Sequence, residues 1–112
     1  MKDGRPAHVH NWMDRKRYVV AGPERLAPGA AKIKFDFDYE GGDKPGGPAS
    51  GVLSVNGEKV AESKIENTVG LVFSADETAD VGVDHHTPVT PEYSQYGNEF
   101  TGTIEKIVIE LK

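Results

Sequence analysis

The stretch of sequence that decides the fold is Lys32-Ile33-Lys34-Phe35-Asp36-Phe37-Asp38-Tyr39. Its apolar side chains recur at every second position, with lysine or aspartate between them. This alternation predicts a half-buried antiparallel strand, because successive side chains of a strand point to opposite faces. A helix would scatter the same apolar residues around its circumference, so a helical interpretation is rejected.

A β-hairpin is predicted immediately downstream of this strand. A loop rich in glycine and proline, residues 41–48, leads into a second extended run at residues 50–55. Asn56-Gly57 then separates that run from residues 58–62. Both turn residues tolerate the positive φ of a type I′ turn, which makes this dipeptide between extended runs a strong hairpin signal.

Strand-like runs also lie on both sides of this hairpin. Residues 7–12 and 15–21 predict two strands joined at Met13-Asp14, and residues 68–73, 79–83 and 100–111 predict three more. The last run places Ile107, Ile109 and Leu111 on one face. Seven or eight short strands indicate an all-β fold, a two-layer antiparallel β-sandwich of the jelly-roll or concanavalin-A-like kind. We expect a single domain over residues 1–112.

Composition excludes several classes of function. The chain has 112 residues and a net charge of −5, which disfavours a nucleic-acid-binding protein, since such proteins need a surplus of Lys and Arg. No apolar stretch is long enough for a membrane span, and the first ten residues lack the apolar core of a signal peptide, so the cytoplasm is the default location. The absence of cysteine excludes disulfides, thiolate catalysis and Cys-ligated zinc.

Histidines and carboxylates are the candidates for metal or proton chemistry. His8 and His10, two apart on a predicted strand, either pair as metal ligands or lie on the solvent side beside an inward Val9. The loop Asp84-His85-His86 supplies imidazole ligands, a proton relay or only loop polarity. Acidic residues at positions 36, 38, 40 and 43 either bind calcium or form an exposed face salt-bridged to the lysines at 32 and 34.

Aromatic side chains in a polar loop are typical of carbohydrate binding. Tyr93 and Tyr96 lie in the polar stretch of residues 91–99, where their rings are available to stack on sugars, although aromatic residues of sandwiches also serve as packing. Motifs for nucleophilic catalysis and phosphate binding are missing, so we expect no enzyme activity and no cofactor. The predicted binding site, which includes no metal, comprises Asp84, His85, His86, Tyr93 and Tyr96.

A series of motifs runs through the chain in a consistent order. They are DGRP at 3–6, HNW at 10–12, FDFDYEGG at 35–42, VNGEKVAE at 55–62, FSADETADVGVD at 73–84, TPV at 87–89 and FTGTIEKIVI at 100–109. Together they resemble the C-terminal β-sandwich domain of bacterial arylsulfatases, and the final run is also similar to laminin-G and concanavalin-A-like sandwiches. The resemblance implies a β-sandwich that packs against a sulfatase catalytic domain, and it does not imply sulfatase activity for this chain. Sulfatases carry their formylglycine motif, Cys/Ser-x-Pro-x-Arg, and their calcium site in a larger domain, and the chain has no such motif.

The chain departs from this pattern in two places. His85-His86 stand where the family has a sequence closer to Thr-Gly, and only Met1-Lys2 precede Asp3-Gly4, where relatives continue with another apolar strand. An absent strand would leave a sheet edge that must be covered. We therefore expect a homodimer or a protein partner.

These observations favour a free-standing, non-catalytic accessory or binding module that binds a carbohydrate or a protein partner through its end loops. The alternatives are a structural or oligomerisation domain left from a larger enzyme, and a small hydrolase that uses the loop of Asp84, His85 and His86. The acidic balance argues against broad affinity for sulfated polymers. Basic residues at positions 5, 15, 16 and 17 form either a local basic patch or solvated surface charges.

Overall fold

Five antiparallel strands in two sheets make up the regular structure. The computed structural model describes residues 1–70 and 79–111. Its strands are β1 (Ala7–Trp12), β2 (Lys16–Ala21), β3 (Ile33–Tyr39), β4 (Ala49–Val55) and β5 (Glu58–Ile65). β1 pairs with β2, and the second sheet has the order β3-β4-β5. The predicted all-β class is confirmed for the described residues, which contain no helix long and apolar enough to cross a membrane.

The predicted hairpin joins β4 and β5 by a two-residue turn. Val55 pairs with Glu58, and Asn56 and Gly57 between them have φ angles of 51° and 85°. The Asn56 N–H donates to the carbonyl oxygen of Lys32 at 2.8 Å, and its Oδ1 accepts from the Lys32 N–H at 2.9 Å. The asparagine therefore forms the turn and also fixes the start of β3 beside it.

The turn between β1 and β2 uses no glycine. Met13 and Asp14 both have positive φ, at 50° and 58°. Local bonds hold this conformation: the Asp14 N–H donates to Asn11 Oδ1 at 2.9 Å, the Arg15 N–H donates to the Trp12 carbonyl oxygen at 2.9 Å, and the Arg17 guanidinium pairs with the Asp14 carboxylate. These contacts offset the steric cost of left-handed backbone at residues with a Cβ.

A small core lies between the two sheets. Tyr18 of β2 packs against Ala49 and Ile65 of the second sheet, and Trp12 covers the edge of this cluster. The Tyr18 hydroxyl accepts a hydrogen bond from Asn67 Nδ2 at 3.0 Å, so its polar end is satisfied. Inward positions alternate along β4, where Ala49 and Leu53 are buried on either side of Gly51. The opposite face of β3 carries the predicted salt bridges, with Lys34 Nζ 3.1 Å from Asp36 Oδ1.

Two of the predicted strands are not formed, and a third is only partly described. Residues 79–83 bend, because Gly82 has a φ of +79° and the Asp80 carboxylate accepts from the His85 N–H, and residues 100–111 are irregular and mostly exposed. Residues 68–70 are also irregular, and the remainder of the strand predicted over 68–73 lies outside the described residues. Strand propensity alone does not form a ladder, which needs a hydrogen-bonding partner beside it.

Tertiary contacts divide the chain into two units, Met1–Phe73 and Ser74–Lys112. All five strands belong to the first unit, and the described part of the second consists of turns and irregular segments. One hydrogen bond within the second unit runs from the Phe100 N–H to the Gly82 carbonyl oxygen at 2.7 Å. The interpretation of residues 1–112 as a single domain stays a prediction.

The hairpin turn provides a test of this fold. Gly57→Ala forces a Cβ into left-handed backbone, and we expect it to lower the free energy of unfolding by about 1–2 kcal/mol in urea titrations. Gly57→Asn is the matched control and should cost less, because asparagine tolerates positive φ. Equal losses in both variants would contradict the turn conformation.

Candidate functional site

The loop that sequence analysis selected is organised around the Asp84 carboxylate. Asp84 Oδ2 accepts hydrogen bonds from the Val89 N–H at 3.0 Å and from the Tyr93 hydroxyl at 2.6 Å. Asn98 bonds the Asp84 backbone in both directions: its Oδ1 accepts from the Asp84 N–H at 2.9 Å, and its Nδ2 donates to the Asp84 carbonyl oxygen at 2.7 Å. Both ends of the segment 84–98 are thereby tied together, and we call this segment the tyrosine loop.

The Tyr93 phenol acts as a neutral hydrogen-bond donor in this loop. Burial raises the pKa of Tyr93 well above its ordinary value of 10, and the hydrogen bond to Asp84 raises it further. The Asp84 carboxylate in turn is engaged by two donors. Asp84 Oδ2 and the Tyr93 hydroxyl therefore hold the loop in shape.

The two histidines of the loop are placed differently from each other. The His85 N–H donates to Asp80 Oδ2 at 3.1 Å, and His85 Nδ1 lies 3.3 Å from Asp80 Oδ1. His86 has left-handed backbone with a φ of 62°, and its ring centroid is 6.4 Å from that of His85 in an edge-on arrangement. His85 thus pairs with Asp80 rather than with Asp84, so the predicted relay between Asp84 and the histidines is not assembled.

Tyr96 is the most accessible ring of the tyrosine loop, with 79% of its surface exposed. Its backbone is nevertheless well fixed. Ser94 Oγ donates to the Tyr96 carbonyl oxygen at 2.7 Å, the Tyr96 N–H lies 3.2 Å from the same Oγ, and Asn98 Nδ2 donates to the Ser94 carbonyl oxygen at 2.9 Å. The loop therefore presents an aromatic face to solvent from a bonded framework, an arrangement suited to stacking.

Sequence analysis missed a second candidate site, an open cleft of about 540 Å³ in the first unit. Aromatic side chains of β3, the glycine-rich loop and the segment after β5 line it together with one histidine. These residues are His10, Phe37, Tyr39, Gly42, Asp43, Lys44, Pro45, Gly46, Thr68, Val69 and Gly70. We call it the glycine cleft.

The wall of the glycine cleft is formed around the Tyr39 hydroxyl. This group donates to the Lys44 carbonyl oxygen and accepts from the Gly47 N–H at 3.0 Å. A Cβ at Gly41 would lie 2.2 Å from the hydroxyl oxygen, and one at Gly47 would lie 2.7 Å from the Gly41 Cα. Both glycines are therefore required for the loop to close over the tyrosine.

His8 and His10 face the second sheet, so the prediction of a solvent-side pair beside an inward Val9 is wrong. His8 lies opposite Val20 and His10 opposite Tyr18 in the ladder, and these partners belong to the buried face. Val9 lies opposite Val19, which is 55% exposed. Directly opposed residues share a face, which turns both imidazoles inward.

The inward imidazoles serve as aromatic packing and are neutral at pH 7. The His8 ring stacks on Phe35 with centroids 3.7 Å apart and planes inclined by 9°. Burial lowers the pKa of His8 to about 4, with a smaller contribution from His10, and burial also lowers the pKa of His10. His8 Nδ1 and His10 Nε2 are buried without a hydrogen-bond partner in the described part of the chain. Residues 1–70 and 79–111 place no group of three or more histidine or acidic side chains for a metal ion.

The depressed His8 pKa predicts acid sensitivity. The ordinary pKa of 6.5 applies in the unfolded chain, and the folded value is about 4, so protons bind the unfolded state more strongly between these limits. The free energy of unfolding should therefore fall as pH decreases from 6.5 to 4. A fully buried group would contribute about 1.4 kcal/mol per pH unit, and His8 should contribute less because its ring is only half buried.

Denaturant unfolding across this pH range tests the assignment. His8→Phe keeps a ring on Phe35 and removes the imidazole, so it should flatten the pH dependence relative to the parent. An unchanged slope in His8→Phe would refute the role of His8.

The hydrogen bonds of Asp84 predict a local effect in the tyrosine loop. Asp84→Ala removes the acceptor of the Val89 N–H and should accelerate exchange of that amide about tenfold, as for the loss of a bond worth roughly 1.5 kcal/mol. Asp84→Asn keeps an acceptor oxygen and should have a smaller effect. The Gly22 amide, bonded to the Pro6 carbonyl oxygen in the first unit, is the internal reference. Equal exchange at Val89 in parent and Asp84→Ala would contradict the network.

Comparison with protein-family models, with curated proteins and with solved structures finds no match to this chain. The similarity to arylsulfatase C-terminal domains therefore stays a prediction from the motifs. The residues available for a functional assignment are those of the tyrosine loop and the glycine cleft, and the assignment depends on what their geometry is able to bind.

Proposed function

We propose that the protein is a non-catalytic carbohydrate-binding module whose site is the tyrosine loop. The observation that carries the proposal is the exposed ring of Tyr96 on a hydrogen-bonded framework. Exposing a large apolar face to water is unfavourable, and a ring on a bonded loop loses little conformational entropy when a ligand covers it. Tyrosine is also the side chain that combines a large contact area with few rotatable bonds.

Polar groups elsewhere in the tyrosine loop supply the second requirement of sugar binding. The half-exposed Tyr93 and the His85 imidazole lie in the same loop, and Ser94 follows Tyr93 directly. Hydroxyl groups of a sugar need such donors and acceptors next to an apolar surface. The net charge of −5 favours a neutral glycan over a sulfated one, because like charges repel.

We further propose that the strands belong to a two-layer antiparallel β-sandwich of the jelly-roll or concanavalin-A-like kind, related to the accessory domain of bacterial arylsulfatases. The packing of β2 against β4 and β5 across the Tyr18 cluster supports two layers. The ordered motifs from residue 3 to residue 109 support the relationship. An accessory domain of this kind would bind a substrate-like glycan without acting on it.

The proposal is tested by measuring dissociation constants for a panel of neutral and sulfated oligosaccharides. Tyr96→Ala should weaken binding of a neutral glycan about fivefold or more, which corresponds to an aromatic contact of about 1 kcal/mol. Tyr96→Phe keeps the ring and should bind nearly as the parent does.

His10→Ala changes the glycine cleft and not the tyrosine loop, so it distinguishes between the two candidate sites. This variant should leave glycan binding unchanged. Binding that survives Tyr96→Ala but is lost in His10→Ala would move the site to the cleft. If the protein binds no glycan of the panel, the carbohydrate proposal is rejected. The remaining interpretation is then a protein ligand at the same loop.

A further inference from the structure

We propose that residues 105–111 of one copy add as an antiparallel strand to the edge of β3 in a second copy, giving a reciprocal strand-exchanged dimer. This inference is independent of the carbohydrate proposal, since it does not use the tyrosine loop, although Phe37 and Tyr39 of the receptor strand also line the glycine cleft. It rests on an apolar segment without a ladder, on an incompletely covered sheet edge, and on the match between their side chains.

The segment has the composition of a strand but no strand partner among residues 1–70 and 79–111. Its alternate residues Ile107, Ile109 and Leu111 are 56%, 83% and 94% exposed. Residues 105–111 make no backbone ladder with any other part of the chain that the structure describes. Exposed β-branched residues with unpaired backbone groups form a ready template for pairing with another sheet.

The edge of β3 is the best receptor for such a segment. Among the described strands, β3 has a neighbour on one side only. Its inner face is not fully covered, since Ile33, Phe37 and Tyr39 all retain substantial exposure, 39% for Phe37. The other edge of this sheet, β5, carries Glu58, Lys59, Glu62 and Lys64 and faces a register shift in β4, which are features that discourage edge pairing.

One antiparallel register matches apolar side chains on the inner face. It places Leu111 opposite Ile33, Ile109 opposite Phe35 and Ile107 opposite Phe37. Such directly opposed apolar pairs are the stabilising units of a sheet. A shift of the added strand by one residue would turn these side chains to the charged face of β3. Slipping by two residues in one direction would move Glu105 opposite Phe37.

The same register matches charges on the outer face. Glu110 lies opposite Lys34, Lys106 opposite Asp38, and Val108 opposite Asp36. A slip by two residues in the other direction places Glu110 opposite Asp36, where like charges repel. A parallel arrangement that aligns Ile107 with Ile33 puts Lys106 opposite Lys32 and Glu110 opposite Asp36. Charge therefore disfavours this slip and the parallel arrangement, and the opposite slip places Leu111 beyond the start of β3.

A second copy is the natural occupant because each chain carries both complementary parts. Reciprocal exchange gives two identical strand additions related by a two-fold axis, and it uses the β3 edge and the C-terminal segment of both chains, so neither is left for a third copy. It also covers the apolar side chains of both segments at once, which a partner with only one binding surface would not do.

Light scattering coupled to size-exclusion chromatography on the full chain tests the proposal. We expect a particle of twice the 12.1 kDa chain mass at micromolar concentration. Ile109→Lys places a charge on the inner face and should raise the dimer dissociation constant at least about tenfold. Val108→Lys is the same kind of change on the outer face, opposite Asp36, and should leave the dimer intact.

Charge reversal tests the register itself. Glu110→Lys and Lys34→Glu should each weaken the dimer about two- to fivefold, and the double variant should recover most of the parent affinity. A monomer at all concentrations would overturn the proposal, as would a dimer indifferent to Ile109→Lys. Dimer loss in Ile109→Lys without rescue in the double charge reversal would overturn the assignment of β3 as the receptor.

Discussion

A stack of three groups crosses from one sheet to the other, and the first unit depends on it. The ring of Phe35 lies against the bare backbone of Gly51, where a Cβ would approach the ring to 2.6 Å, and the imidazole of His8 stacks on the same ring. A side chain at position 51 would collide with Phe35 and disturb its stacking on His8. The missing Cβ on the central strand thus leaves the space that the Phe35 ring occupies.

This packing has a chemical consequence for the histidines. Burial disfavours the charged form of an imidazole, so the ring that stacks on Phe35 is favoured in its neutral form. Both inward histidines have lowered pKa values for that reason. His8 Nδ1 and His10 Nε2 have no hydrogen-bond partner among the described residues, which is an unfavourable consequence of packing polar rings in a buried position. The same pair of residues would suit metal binding if a third ligand stood near, but the described residues supply none.

Much of the fold follows from local pattern, as the alternation in β3 and the Asn56-Gly57 turn illustrate. In both cases, residues close together in the sequence are sufficient to specify the strand or the turn. Alternation failed for His8 and His10, because it shows which residues share a face and not which face is buried. That choice is made by the partners Val20 and Tyr18 across the ladder. The run at 100–111 failed for a related reason: a strand requires hydrogen-bonding neighbours, which propensity does not provide.

The candidate site was likewise only partly predictable from the sequence. The polar, tyrosine-containing loop was visible in the sequence, and the contact between Asp84 and Tyr93 joins two residues that had been selected separately. The role of Asp84 was not visible, since it depends on a backbone amide at Val89 and on Asn98 closing the loop. The glycine cleft was missed because the sequence describes residues 41–48 only as a turn-rich segment. Its geometry depends on the Tyr39 hydroxyl reaching back into that loop.

The position of Trp12 gives the protein a built-in optical probe. The chain contains one tryptophan, and its indole packs at the edge of the cluster of Tyr18, Ala49 and Ile65, with the Arg15 guanidinium 5.9 Å from the ring centroid. Its fluorescence therefore arises from a single place, the seam between the two sheets. Emission from this residue reports separation of the sheets without any introduced label, and the second unit contributes no tryptophan signal of its own.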